Sequence, residues 1–447
     1  MELPAEKRFL TERTHPLLTK YFMNHDADTM PTELMATYQE EALQEIITHA
    51  AEKSPFYREK FQKAGINAKD IQNISDLSKL PFTTKDELRG DPWRFLTCDK
   101  KNISIIHVST GTTGGEPIYV MHTYQDFFLN DLAPGFCKLV PVEEGDIVLN
   151  ALPYEMSSAG LAFHKSFIHC CSATVLTAGK GGAYSTPEKT VKMMRDLKPT
   201  VAITSPSYAV TLAETAAKEG FDLTTLPLKL MWITGEGCSP AFRQRVEKLW
   251  GTTANFYYGT LEGGVIGIEC NNHAGYHIAN SHVIVEIVNP TTGEVLEPLE
   301  IGEIVVTCLA RFGTPLIRYR TQDLGYIDPE PCDCGTALPR IFLRGRLGDQ
   351  VRVNNIDFSP FYLEEFLMRQ PEVGNWYQFV AQPGNNDVLK IRVELAPGVV
   401  PSPALADKLS SKMEFAFGVP CEIVIVPEVP RPRAKTVRVI RSEEETA

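Results

Sequence analysis

Nine consecutive residues, Ser109-Thr110-Gly111-Thr112-Thr113-Gly114-Gly115-Glu116-Pro117, combine small hydroxyl side chains with glycines directly after an apolar run at 103–108. Glycines let backbone N–H groups turn toward an anion, and hydroxyls add donors without bulk, which suits a phosphate cradle. No Gly-Lys-Ser/Thr closes the segment, so it is not a Walker A loop. Taken alone, the same residues read equally well as a Ser/Gly-rich hairpin turn. The second cluster is built of thiols and imidazoles: Cys270 lies shortly before His273 and His277, and Cys332-Asp333-Cys334 follows across the intervening hairpins. Two such groups meet the tetrahedral requirement of zinc, and four protein ligands leave no open position for chemistry, so the metal would be structural. Free thiols in surface turns are the alternative.

These residues need a scaffold. From 102 to 257, short β-branched runs at 103–108, 146–152, 173–176, 200–204, 229–234 and 254–257 alternate with amphipathic stretches such as PEKTVKMMRDL and SPAFRQRVEKLW, each opening on a cap or an early proline. That alternation predicts an α/β fold with mostly parallel sheets and helices on their faces. After Glu262 the segments HVIVEIVNPTTGEVLEP and GEIVVTCLA predict hairpins, hence a small antiparallel sheet or barrel at about 265–343. From about 345, strand, helix, two strands, helix and strand make a small α+β unit. The expected division is an N-terminal domain of several subdomains at 1–345 and a small mobile C-terminal domain at 346–447.

Composition bounds the partners. With 447 residues, 43% hydrophobic and 22% charged, the chain can bury a large interior, and its formal net charge of -12 argues against nucleic acid or an anionic membrane as the main partner. The segment MELPAEKRFLTERTHPLL has no apolar core of signal-peptide length, and no run is long enough to span a bilayer, so a cytoplasmic protein is expected. In a reducing compartment the ten cysteines are not a disulfide scaffold.

The loop keeps specific company. STGTTGGEP, Tyr258-Gly259-Thr260-Leu261-Glu262, PLIRYRTQD ending at Asp323, and Arg344-Gly345-Arg346 occur in the order found in the adenylate-forming superfamily. Together with SPFYREKFQKAGINAKDI, LSKLPFTTKDELR and the CDCG before RGR, the whole chain from about Glu41 onward resembles phenylacetate:CoA ligases and related aryl-CoA ligases. The resemblance implies an AMP-forming acid-thiol ligase. ATP and an aromatic carboxylate would give acyl-AMP and pyrophosphate, and CoA would then displace AMP to give an aryl-CoA. A carboxylate is a poor electrophile, and AMP supplies the leaving group.

The resemblance also implies roles. Glu262 would hold Mg2+ on the phosphates, and Lys435 would be swung in by the small domain during adenylation. Ser109, Thr110, Gly111, Thr112 and Thr113 would cradle phosphate. Gly235, Glu236, Tyr258, Gly259 and Thr260 would meet the nucleotide, Asp323 the ribose hydroxyls, and Arg344 or Arg346 the ribose or phosphate. Cys270, His277, Cys332 and Cys334 form the preferred zinc set, with His273 as substitute. Tyr154, Ala159, Gly160 and Phe163 would wall the aryl pocket, where aromatic faces meet a flat acid and small residues leave room for its ring. Phenylacetate, benzoate and anthranilate are the candidate acids.

Two departures from the family pattern stand out. Gly115-Glu116 replaces the usual loop lysine, placing a carboxylate that would repel phosphate unless it points away or binds the metal. Gly348 replaces the first acid of the hinge. Loading of a carrier protein, and nucleotide binding without catalysis, remain alternative functions, and a homodimer is allowed.

Overall fold

The computed structural model describes residues 10, 13–109, 116–130, 136–381, 384, 386–431 and 436–441. Eleven strands form one continuous sheet. Its parallel half runs Thr174–Thr177, Ile147–Ala151, Val201–Thr204, Leu230–Thr234, Ala254–Thr260. Its antiparallel half continues without a break through Gly264–Glu269, Tyr276–Ile278, Arg340–Arg346, Tyr319–Asp328, Gly302–Cys308 and Val283–Val288. The expected antiparallel region is therefore an extension of the main sheet. Its first strand leaves the parallel half through a tight hairpin after Thr260, which reverses the chain direction.

The central parallel strands Val201–Thr204 and Leu230–Thr234 are buried along their whole length, as strands covered on both faces must be. Their helices start on a repeated device, in which a Ser or Thr side chain accepts a backbone N–H of the first turn and proline follows at the first helical position. Thr186 with Pro187, Ser205 with Pro206 and Ser239 with Pro240 all do this. The hydroxyl satisfies an amide that has no partner inside the helix, and the proline ring presets the first φ.

One predicted strand does not join this sheet. Among the described residues Ile103–Val108 pairs only with Tyr119–Thr123, in a two-stranded antiparallel ribbon whose connection is the glycine-threonine loop. Local sequence cannot tell a strand that pairs with its neighbour from one that enters a parallel sheet, because both show the same short β-branched run. At the C-terminal end, Cys421–Ile425, Leu389–Leu395, Val373–Val380 and Val439–Ile440 form a separate four-stranded sheet, packed with the helices Pro360–Met368 and Pro403–Phe417.

The opening segment is bolted to the antiparallel half by Arg318, 2% exposed and held at φ 46°. Its guanidinium donates to both Glu286 carboxylate oxygens at 3.0 and 2.9 Å and to the carbonyls of Ser78 and Leu80 at 3.2 and 2.6 Å, and it lies 4.1 Å from the Phe82 ring centre. Arg318→Ala leaves the Glu286 carboxylate buried without its counter-charge. Loss of one partner of such a pair costs about 3–5 kcal/mol, so denaturant unfolding should show a drop of that size.

Candidate active site

The parallel strands deliver the candidate residues to one edge. Leu230–Thr234 runs into Gly235-Glu236-Gly237, and Ala254–Thr260 into Leu261-Glu262, both at the carboxyl ends of strands, where open α/β sheets bind ligands. Asp323 reaches the same place from the antiparallel half. Its carboxylate, 9% exposed, accepts the Tyr258 hydroxyl at 2.8 Å and Arg346 Nε at 2.8 Å. Burial pushes the Asp323 carboxyl above its ordinary range, against the opposing pull of Arg346 and the Tyr258 hydrogen bond. Burial likewise lifts the Tyr258 phenol well above its usual value, and the neighbouring Asp323 charge adds to the lift. A neutral phenol that donates to a carboxylate is what this arrangement holds at neutral pH.

The two arginines of Arg344-Gly345-Arg346 part company for a register reason. Arg346 stands opposite Asp323 and Gly345 opposite Leu324, but the next pair is Gly325 with Leu343, so Arg344 is skipped. Gly345, at φ +106°, makes the bulge possible. Arg344 turns instead onto Tyr326, 4.9 Å from its ring centre, and donates to the Tyr326 hydroxyl at 3.1 Å. Of the two, Arg346 is the one brought to Asp323, and Arg344 is not.

Glu262 is buried at 8% exposure, its backbone carbonyl taking Arg311 Nη1. Its carboxylate neighbours the Tyr319 phenol, which burial first and that carboxylate second push upward. Lys85, in the TTKDELR segment, is half-buried within electrostatic range of Glu262, Asp323 and Arg346, and desolvation lowers its pKa. Nothing in the local sequence around Lys85 marks it out from the chain's other lysines. Its neighbour Thr83, bridged to Tyr319 in the sheet, brings it here across more than two hundred residues of chain.

Ser109 clamps the base of the loop. Its N–H donates to the Ile118 carbonyl at 2.9 Å, and its hydroxyl accepts the Ile118 N–H at 2.9 Å. Thr110, Gly111, Thr112, Thr113 and Lys435 lie outside the described residues. Glu116, just after the loop, is exposed. Gly259 and Thr260 shape the hairpin: a Cβ on Gly259 would sit 2.4 Å from the Gly264 carbonyl oxygen, and the Thr260 hydroxyl accepts the Gly263 N–H at 2.8 Å.

Glu236 has a different set of partners from those expected of a nucleotide contact. Its carboxylate pairs with Lys180 Nζ at 2.8 Å, both side chains under 10% exposed, and accepts the Ser207 hydroxyl at 2.9 Å. It also accepts the backbone N–H of Thr436 at 3.4 Å, which brings the C-terminal segment onto the Gly235–Gly237 turn. Burial opposes its ionisation, but Lys180 and the hydrogen bonds outweigh burial and hold the carboxyl below its ordinary pKa. A side chain so occupied leaves the backbone of the turn, open beside Gly235 and Gly237, as the surface a base could meet.

Along the neighbouring helix, Ala159–His169, the ring of Phe163 meets Tyr257 edge-on at 4.7 Å. Phe163, Phe167, Trp232 and Tyr257 help to line a small apolar cavity. The Tyr154 hydroxyl lies 3.1 Å from His164 Nδ1, and burial raises its pKa to about 12. Ala159 opens the helix, half-buried. Gly160 does not open room for a ring: a Cβ there would meet the Pro153 carbonyl oxygen at 2.4 Å, and that space is filled by the chain itself.

The thiol and imidazole groups converge. The ligand atoms of Cys270, His277, Cys332 and Cys334 all lie within 4.8 Å of one another, with 3.8 Å between the sulfurs of Cys270 and Cys332 and 3.3 Å from Cys334 sulfur to His277 Nε2. Tetrahedral bonds of about 2.3 Å place sulfurs roughly 3.8 Å apart, so the spacing fits zinc. His277 Nδ1 lies 3.2 Å from the Leu338 carbonyl, which can only accept, so Nε2 is left free as a ligand. His273 turns away, to Glu247 at 3.5 Å and Glu269 at 3.4 Å.

A family model for AMP-binding enzymes matches residues 25–308, and one for the AMP-binding enzyme C-terminal domain matches 356–442. The chain is 29% identical over 434 residues to a phenylacetate-coenzyme A ligase of Thermus thermophilus, covering 92% of this chain and 96% of that one. It is 30% identical over 393 residues to the Pseudomonas putida phenylacetate-coenzyme A ligase, covering 83% and 86%. Among solved structures, 2-hydroxyisobutyryl-CoA ligase in its postadenylation state gives a TM-score of 0.85 at 20% identity, covering 94% of this chain and 92% of that one. The same ligase in its thioesterification state gives 0.66 at 22% identity, covering 93% and 91%.

The Lys180–Glu236 pair permits a test of its own. Lys180→Met strands a buried carboxylate and should cost about 3–5 kcal/mol in denaturant unfolding, whereas Lys180→Met with Glu236→Met should recover most of that loss. Equal destabilisation in the two variants would show that the charges are not what the site depends on.

Proposed function

The chain belongs to the AMP-binding enzyme family, and from that footing we propose that it is an ATP-dependent ligase joining an aromatic carboxylic acid to CoA through an acyl-adenylate. The observation that carries the reading is convergence. Asp323 with Tyr258, the buried Glu262, the Gly235–Gly237 turn and the segment just after Lys435 meet at one sheet edge, beside the aromatic cluster of Phe163, Phe167, Trp232 and Tyr257. Asp323 offers the ribose hydroxyls a two-oxygen acceptor once Tyr258 and Arg346 make room. Glu262 is the residue that would hold Mg2+, whose charge offsets that of the phosphates. Arg346 and Lys85, together with the Lys435 that the family resemblance assigns, are the cations that would act on the charge that develops as the acyl oxygen attacks the α-phosphate. Phe163, Tyr257 and the Tyr154–His164 pair suit a flat ring that carries a hydrogen-bonding substituent.

The two half-reactions need different arrangements of the small domain, which we take as 346–447 turning about Gly348. The higher TM-score to the postadenylation state than to the thioesterification state of the same ligase supports reading the present arrangement as the one of the first half-reaction. Nothing in this arrangement requires glycine at 348, since its Cβ direction is open and its φ is not positive. Arg441 closes the hinge from the far end of the chain, donating to the Gly348 carbonyl at 2.6 Å. Cys270, His277, Cys332 and Cys334 are proposed to bind a structural zinc, and the reduced thiols fit a cytoplasmic setting.

Three outcomes test the reading. With ATP, Mg2+, CoA and a panel of aryl acids, pyrophosphate should be released and an aryl-CoA formed; transfer only to a carrier protein would replace CoA as acceptor. Lys435→Ala should suppress acyl-AMP formation by about 100-fold or more while leaving the reaction of supplied acyl-AMP with CoA largely intact, a range typical for loss of one charge-stabilising group. Elemental analysis should find about one zinc per chain, a single tetrahedral site, lost in Cys332→Ser together with thermal stability. Zinc-free protein of unchanged stability would remove the metal from the account.

A further inference from the structure

The helices Pro240–Trp250 and Pro360–Met368 lie side by side, the second capping the start of the first and the first covering the carbonyls at and just beyond the end of the second. At the start of the first, the Ser239 N–H donates to Glu364 Oε2 at 2.5 Å and the Ala241 N–H to Glu365 Oε2 at 2.7 Å. At the end of the second, Arg245 of the first helix donates to the carbonyls of Met368, Gln370, Val373 and Gly374 at 2.8, 2.9, 2.8 and 2.8 Å. The first amides and last carbonyls of a helix have no partners within it, and its dipole favours anions at the start and cations at the end. Both preferences are met across the boundary between the two domains. The other oxygen of Glu364 takes the Tyr377 hydroxyl, which fixes the carboxylate from the small-domain side.

The place of this contact matters. Ser239 stands two residues beyond Gly237, so the docking point and the turn that receives Thr436 belong to one five-residue stretch, 235–239. We propose that Arg245, Glu364 and Glu365 form a reciprocal helix-end lock that positions the small domain for acyl-adenylate formation and must open before CoA can react. The inference rests on the two-arrangement reading of the ligase. The lock itself consists of charged and polar groups, which water solvates readily once they separate. Its strength sets how the chain divides its time between the arrangements, and a positioning residue that favours one state changes the two half-reactions in opposite directions or unequally.

The test compares the unmutated protein with Arg245→Met and Glu365→Gln. Single-turnover acyl-AMP formation and aryl-CoA formation from supplied acyl-AMP are timed separately, and small-angle X-ray scattering reads the arrangement of the domains. Arg245→Met should slow acyl-AMP formation about tenfold, leave the second half-reaction unchanged or faster, and shift the scattering profile toward a more extended particle, in line with an ordinary coupling free energy. Glu365→Gln, at the edge of the contact, should move each quantity the same way by less. If Arg245→Met does not fold, Glu365→Gln carries the test. Parallel loss of both half-reactions, or unchanged rates with an unchanged profile, would overturn the lock. If the unmutated protein forms no acyl-AMP with any acid, the ligase reading fails, and the scattering comparison still decides whether these residues hold the domains together.

Discussion

One hydrogen bond, 2.8 Å from the Tyr258 hydroxyl to the Asp323 carboxylate, joins the parallel half of the sheet to its antiparallel half at the edge where the chemistry would occur. The strands that bear them are not neighbours: Gly264–Glu269, Tyr276–Ile278 and Arg340–Arg346 lie between them in the sheet. The bond therefore spans a curved surface, and the twist of a sheet this wide is what lets separated strands face each other. A carboxylate buried there needs compensation, and Tyr258 with Arg346 supplies it in the absence of ligand. The same two partners keep the acceptor oriented.

Much of this architecture was legible in the sequence, because local signals and tertiary fate agree. The stretches PEKTVKMMRDL and SPAFRQRVEKLW become the helices Pro187–Leu197 and Pro240–Trp250 because their caps and prolines fix the first turn before any tertiary contact forms. The apolar runs within 200–204 and 229–234 become central strands because a strand covered on both faces is apolar along nearly its whole length rather than at alternate positions. The cysteine and histidine set was readable for a different reason: few other arrangements make use of that many soft ligands at once.

What stayed hidden depends on register and on long-range pairing. Arg344 and Arg346 look equivalent two residues apart, and only the bulge at Gly345 sends one to Asp323 and the other to Tyr326. Glu236 reads as one more residue of a nucleotide turn until Lys180, 56 positions earlier, is found against it. Gly160 looks like room for a ring and Gly259 like a nucleotide contact, yet each is small because a backbone carbonyl already fills the space beside it. In the first two cases the deciding contact lies outside any short sequence window, and in the third it lies close in sequence but depends on how the backbone folds back on itself.

The contact between Arg441 and the Gly348 carbonyl gives the tail of the chain a mechanical part. On the proposed turning of the small domain about Gly348, a load applied near the C-terminus, such as attachment to a solid support, would act on that pivot directly, whereas the same load at the opposite end would reach it through the N-terminal body. The side from which this protein is anchored would then be a choice about turnover as well as about convenience.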